Sequence, residues 1–180
     1  MPLGLSLNTL DAVVLTHAHI DHSGYVPRLV AQGCKGPIYC SPATLALSKI
    51  MLPDSGRIQE EDAEHANVKH FSKHSPALPL YTEAQAIDSL RHFEAKPFEQ
   101  TFRIGQFYAT FYHAGHILGA SHLLLRYQDK TILFSGDIGR ANDLILKAPT
   151  PPPFADVVIM ESTYGDRLHD SQDLLTQLLE

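Results

Sequence analysis

Three imidazoles and a carboxylate fall within six residues in Thr16-His17-Ala18-His19-Ile20-Asp21-His22-Ser23-Gly24. Imidazole nitrogens and carboxylate oxygens without a thiolate suit zinc or manganese held for catalysis; a structural zinc site would close four ligands and use cysteines. In an extended turn His17 and His19, two positions apart, point the same way and can share an ion. Asp21 and His22 then lie on the far side of the turn, placed for a second ion. Further along, His116 follows Ala114-Gly115, Asp137 follows Ser135-Gly136, and Glu161 follows Asp156-Val157-Val158-Ile159-Met160. A carboxylate such as Asp137 can bridge two ions, and two metals about 3.5–4 Å apart hold a hydroxide for in-line attack while clamping the substrate oxygens.

Each of these groups stands where an apolar run stops. Ala12-Val13-Val14-Leu15 feeds the histidine turn and reads as a strand, followed by a helix over Tyr25 to Val30 that Gly33 stops. Phe107 to Tyr112 runs into His113-Ala114-Gly115-His116, and Thr131 to Phe134 runs into Asp137. Open α/β sheets gather ligands beyond the carboxyl ends of their strands, so residues distant in sequence converge there.

The stretches between fill in the framework. A short strand over Pro37 to Cys40 precedes a helix capped by Ser41 and opened by Pro42, which Pro53 is expected to end. Asp54 to Pro79 reads as a polar, partly helical excursion. Thr82-Glu83-Ala84-Gln85 matches a capping box and opens a helix through Phe93. Strands over Phe98 to Phe102, Phe107 to Tyr112, His122 to Tyr127 and Thr131 to Phe134 come next, then a buried-type strand over Asp156 to Met160, and a helix from Asp170 or Ser171. The β-α-β-α rhythm is that of an α/β architecture. His65, His70 and His74 lack a strand-end or acidic context and read as a solvated helix face, while His113 and His122 read as orienting or packing residues.

Composition narrows the class. The net charge of −6, from 20 acidic against 14 basic residues, argues against a large nucleic-acid-coating surface and leaves room for a local basic groove. No apolar run approaches the roughly 18 residues that span a bilayer. The start, Met1-Pro2-Leu3-Gly4-Leu5, lacks the pattern of a signal peptide, so a cytoplasmic protein is expected. Cys34 and Cys40 form no Cys-x-x-Cys pair and read as reduced thiols.

Thr16 to Gly24, His116 and Asp137 resemble successive metal-binding motifs of the metallo-β-lactamase superfamily. Glu161-Ser162-Thr163-Tyr164-Gly165-Asp166 and Ala114-Gly115-His116-Ile117-Leu118-Gly119-Ala120 resemble its β-CASP branch of RNA-processing nucleases. The resemblance runs from about Asp11 to Leu168. It implies an αββα sandwich with a dinuclear zinc site that hydrolyses RNA phosphodiesters. His17, His19 and His116 would hold one zinc, Asp21 and His22 the other, with Asp137 bridging; Glu161 would match the acidic residue near the leaving group. Asp21, Asp137 and Glu161 are thus the carboxylates expected in catalysis. Family members carry strands before the histidine cluster, and a clamp domain with later histidines after the Glu-Ser-Thr-Tyr-Gly segment. The chain is therefore expected to be an incomplete piece of a longer enzyme. Residues 1–168 would form a partial metallo-β-lactamase-like domain and residues 169–180 the start of the clamp, with the second metal site one ligand short.

The expected partner is RNA, with no membrane, and a homodimer is left open. Arg140 and Arg167 are the nearest basic residues for phosphates, although a plain surface role is the commoner one for such arginines. One rival is a hydrolase of the same fold acting on a small thioester, lactone or ester, which would have no use for Glu161-Ser162-Thr163-Tyr164-Gly165. Another is a non-catalytic partner subunit. Such subunits lose ligands, whereas here every ligand position the chain covers is filled.

Overall fold

The computed structural model describes residues 6–166; Arg167, the boundary at 168–169 and the expected helix from Asp170 or Ser171 lie outside the described residues. Two sheets pack face to face. The first is parallel, with β1 (Val13–Val14), β2 (Ile38–Cys40) and β3 (Phe93–Ala95) in that order. The second orders β4 (Thr101–Ile104), β5 (Phe107–His113), β6 (Ser121–Tyr127), β7 (Lys130–Phe134) and β8 (Val157–Ile159). It is antiparallel except at the β7–β8 pair.

The alternation of side chains along a strand divides the apolar residues between two cores. Val13, Leu15, Ile38, Cys40 and Phe93 face a helical layer and pack with Val26, Leu52, Tyr81 and Ala86. Val14 faces the second sheet and joins Ala109, Phe111, Leu123, Phe102 and Phe134. Tyr39, between Ile38 and Cys40, meets Phe102 with ring centroids 5.0 Å apart. The layers are thus helix, sheet, sheet, in line with an incomplete metallo-β-lactamase-like sandwich; a second helical layer is not among the described elements.

The helical layer holds α1 (Ile20–Ser23), α2 (Val26–Ala31), α3 (Pro42–Lys69) and α4 (Glu83–Ser89). Ser41 caps α3 by accepting from the Thr44 amide at 3.2 Å, as its sequence predicts. Pro53 does not end this helix: it sits inside an α3 that runs on to Lys69. Thr44, Ser48, Leu52 and Gly56, spaced by four, form one buried ridge through the proline. Past it Arg57 pairs with Asp54 at 2.7 Å and Glu61 at 2.6 Å, and Tyr81 donates to Ser55 at 2.9 Å. Burial on both sides of the proline outweighs the lost backbone bond.

Three other expectations shift. The capping box at Thr82 forms, but the helix stops at Ser89, and a 3-10 turn over Leu90–His92 delivers Phe93 into β3, where it pairs with Ile38 and is buried. The strand expected over Phe98 to Phe102 starts at Thr101, because Glu99 takes a positive φ of 60° and bends the chain where its amide meets the Phe111 carbonyl. β8 was expected to be buried, yet Val157, Val158 and Ile159 are each about half exposed, since among the described strands only β7 covers it.

Candidate metal centre

The strand ends converge as the sequence requires. Thr16, just past β1, accepts at its carbonyl from both the Ser121 amide (2.9 Å) and the Ser121 hydroxyl (2.8 Å) at the start of β6. That tie joins the two sheets beneath the site. Gly119 presses on the first turn of α3: its carbonyl accepts from Ser41 Oγ (2.7 Å) and Thr44 Oγ1 (3.0 Å), and a Cβ there would lie 2.4 Å from the Thr44 nitrogen. Its φ of 83° is one that glycine adopts without cost. Gly136 (φ 56°) lets the loop after β7 pass against Thr16, with space for no side chain. Ser23 Oγ donates to the carbonyls of Ala18 (2.8 Å) and His19 (3.0 Å) and holds the histidine turn shut.

Four groups then face one another. His17, His19, His116 and Asp137 each offer one donor atom, and these atoms all lie within 4.8 Å of each other. His19 Nδ1 is 3.2 Å from both His17 Nε2 and His116 Nε2. The Asp137 carboxylate divides its oxygens. Oδ2 lies 3.6 Å from His17 Nε2 and 3.4 Å from His116 Nε2, while Oδ1 lies 3.3 Å from His22 Nε2. His22 Nε2 is also 3.5 Å from Asp21 Oδ2, so Asp21, His22 and Asp137 form a second, more open group beside the first. Imidazoles and carboxylates without a thiolate fit a hard or borderline divalent ion.

His17 is fully buried, and its pKa is lowered to about 4. Burial is the main cause, helped by the positive charge His22, His19 and His116 would carry and opposed by Asp137. A neutral imidazole is the form that ligates a metal. When its Nδ1–H donates to Thr16 Oγ1 at 3.1 Å, the His17 lone pair sits on Nε2, inside the cluster.

Glu161 lies next to this group, not in it. Its Oε1 accepts from the Ile138 amide at 2.6 Å and its Oε2 from Thr163 Oγ1 at 2.8 Å, while its own amide donates to Ser135 Oγ at 3.1 Å. Partial burial works to raise its pKa, but the Ile138 amide, the Thr163 hydroxyl and the nearby His116 and His17 together bring it below the usual value. His116, Asp137, Arg140, Glu161 and Tyr164 line a cavity of about 300 Å³ at the mouth of the site. Thr16, Ser135 and Thr163 were not singled out by sequence reasoning, and only their places beside His17, Gly136 and Glu161 could have pointed to them.

Five other histidines that the sequence singles out stand apart from the cluster. His122 is buried and donates from Nδ1 to the Ser135 carbonyl at 2.6 Å. His113 stacks on Phe98 with ring centroids 3.7 Å apart. His65, His70 and His74 are exposed, but only His65 lies on a helix face, because α3 ends at Lys69; no metal-competent group among the described residues includes them.

Comparison with known proteins agrees with this geometry. The chain is 33% identical to Ribonuclease TTHA0252 of Thermus thermophilus over 168 residues, covering 93% of this chain and 35% of the relative. It is 32% identical to Endoribonuclease YSH1 of Gibberella zeae, covering 91% of this chain and 19% of that one. It is 30% identical to Transcription termination factor FttA of Cenarchaeum symbiosum, covering 90% and 24%. The chain thus spans about a third or less of the length of these relatives. A family profile described as Metallo-beta-lactamase superfamily matches residues 1–173. With that match over nearly its whole length, the chain belongs to the metallo-beta-lactamase superfamily.

Proposed function

We propose that the protein is a zinc-dependent ribonuclease of the β-CASP type that hydrolyses RNA phosphodiester bonds. The observation that carries this reading is the division of Asp137, with one oxygen turned to His17 and His116 and the other to His22. His17, His19 and His116 would hold one zinc, Asp21 and His22 a second, and Asp137 would face both. Bound zinc would supply an activated water and offset charge on the phosphoryl oxygens. Arg140, on the wall of the adjoining cavity, is the residue we assign to a substrate phosphate. The names of the relatives favour RNA as substrate, and so does the Glu161-Ser162-Thr163-Tyr164-Gly165 segment.

No helix among the described residues is long and apolar enough to cross a membrane. A cytoplasmic site of action fits two buried free cysteines, of which Cys40 has its pKa pushed up by burial to about 12. The test is RNA cleavage by the intact gene product with added Zn²⁺. Labelled RNA should be cut, and Asp137→Ala should stop the cutting. Intact RNA alongside rapid hydrolysis of a thioester or lactone would refute the ribonuclease reading.

A further inference from the structure

We propose that Glu161 is a positioning residue for the metal centre: its carboxylate braces the peptide between Asp137 and Ile138 and so sets the direction in which Asp137 presents its two oxygens. This rests on the metal-centre reading above and gives Glu161 a task apart from any part in proton transfer.

The loop after β7 is anchored at its two ends by groups that do not touch its centre. At the start, the Ser135 amide donates to the Ile159 carbonyl (2.9 Å) and His122 Nδ1 donates to the Ser135 carbonyl (2.6 Å). At the far end, the Gly139 amide donates to the Ala114 carbonyl (2.8 Å). Asp137 lies between, directly after Gly136, whose φ of 56° is one that glycine adopts readily. The amide that follows Asp137 belongs to Ile138, and it donates to Glu161 Oε1 at 2.6 Å.

Because a peptide unit is planar, holding that N–H restricts ψ of Asp137 and with it the line along which its Cα–Cβ bond leaves the backbone. The brace is itself held. Thr163 Oγ1 takes the second carboxylate oxygen (2.8 Å), and the Glu161 amide reaches Ser135 Oγ (3.1 Å) in the same loop. One Glu161 oxygen therefore holds the loop, and the other is itself fixed by Thr163. Groups that orient a ligand are typically worth about 10–100-fold in metal affinity.

Three substitutions in the 180-residue chain separate reach from charge. Glu161→Gln keeps a carbonyl acceptor at full reach without charge, Glu161→Asp keeps the charge on a shorter arm, and Glu161→Ala removes both. Zn²⁺ affinity is measured by competition with a chromophoric chelator, the coordination geometry from the visible spectrum of bound Co²⁺, and the metal-free melting temperature is followed alongside. Glu161→Gln should bind Zn²⁺ within about threefold of the unaltered chain with unchanged Co²⁺ bands; Glu161→Ala and Glu161→Asp should each lose about 10–100-fold, with altered bands. If Glu161→Ala fails to fold, Glu161→Asp carries the comparison. Full Zn²⁺ affinity in Glu161→Asp, or a loss in Glu161→Gln as large as in Glu161→Asp, would overturn the proposal. An unaltered chain that takes up no Zn²⁺ would refute the metal-centre reading itself, and the brace with it, which is a different result from altered ranking among the variants.

Discussion

Removing the metal should make the protein acid-labile through one residue, His17. Its side chain is fully buried and its pKa falls from the ordinary 6.5 to about 4. A histidine whose pKa is lower in the folded state than in the unfolded state holds its proton less tightly when folded. Its contribution is therefore intact above 6.5 and lost as pH falls toward about 4. At about 1.4 kcal/mol per pKa unit, the gap between 6.5 and about 4 comes to about 3 kcal/mol. Integrated over the experimental range, about 2 kcal/mol of this is lost between pH 7 and pH 5. For a chain of this size that corresponds to a drop of roughly 4–8 °C in melting temperature. The assay is urea unfolding in the presence of a chelator at pH 7 and pH 5, for the unaltered chain and for His17→Gln. Acidic side chains contribute equally to both proteins, so the difference in their pH dependence isolates His17. A His17→Gln protein that loses as much stability on acidification as the unaltered chain would refute the reasoning.

Three further outcomes follow from the packing. Leu52→Ala should cost about 2–5 kcal/mol in urea unfolding, because Leu52 is fully buried between α3 and the parallel sheet; a cost under about 1 kcal/mol would contradict that core. Gly119→Ala should destabilise by more than about 1 kcal/mol and weaken zinc binding, since the new Cβ meets the Thr44 nitrogen at 2.4 Å in a φ of 83°; unchanged melting would count against the docking of α3 on the His116 loop. Pro53→Ala should stabilise by about 1 kcal/mol, by restoring a backbone donor inside a continuous helix against a smaller entropic loss in the unfolded chain. Destabilisation by that change would argue that the helix breaks there.

The candidate centre was legible because its ligands are carried on local turns. His17 to His22 occupy one strand-to-helix turn, and His116 and Asp137 each follow a glycine at the end of an apolar strand, so residue type and position agree. The Thr82 capping box and the β5–β6–β7 meander were legible for the same reason, since each is specified within a few residues. The missed features depend on distant partners. Pro53 reads as a stop until the four-residue ridge from Thr44 to Gly56 is set against its neighbours. Phe93 continues a helical pattern, and only its pairing with Ile38 makes it a strand. Val157 to Ile159 read as a core strand by composition, but their exposure depends on which strands lie alongside. The brace from Glu161 to Ile138 joins residues twenty-three apart through a backbone amide, which has no signature in side-chain type.

Anomalous X-ray scattering from crystals of the Zn²⁺-loaded chain, collected on both sides of the zinc absorption edge, would locate the ion among the side chains. A peak bounded by His17, His19, His116 and Asp137 is the predicted result, with a second, weaker peak near Asp21 and His22. Zinc found only at exposed histidines such as His65, His70 or His74, with none between the strand ends, would contradict the assignment of the centre.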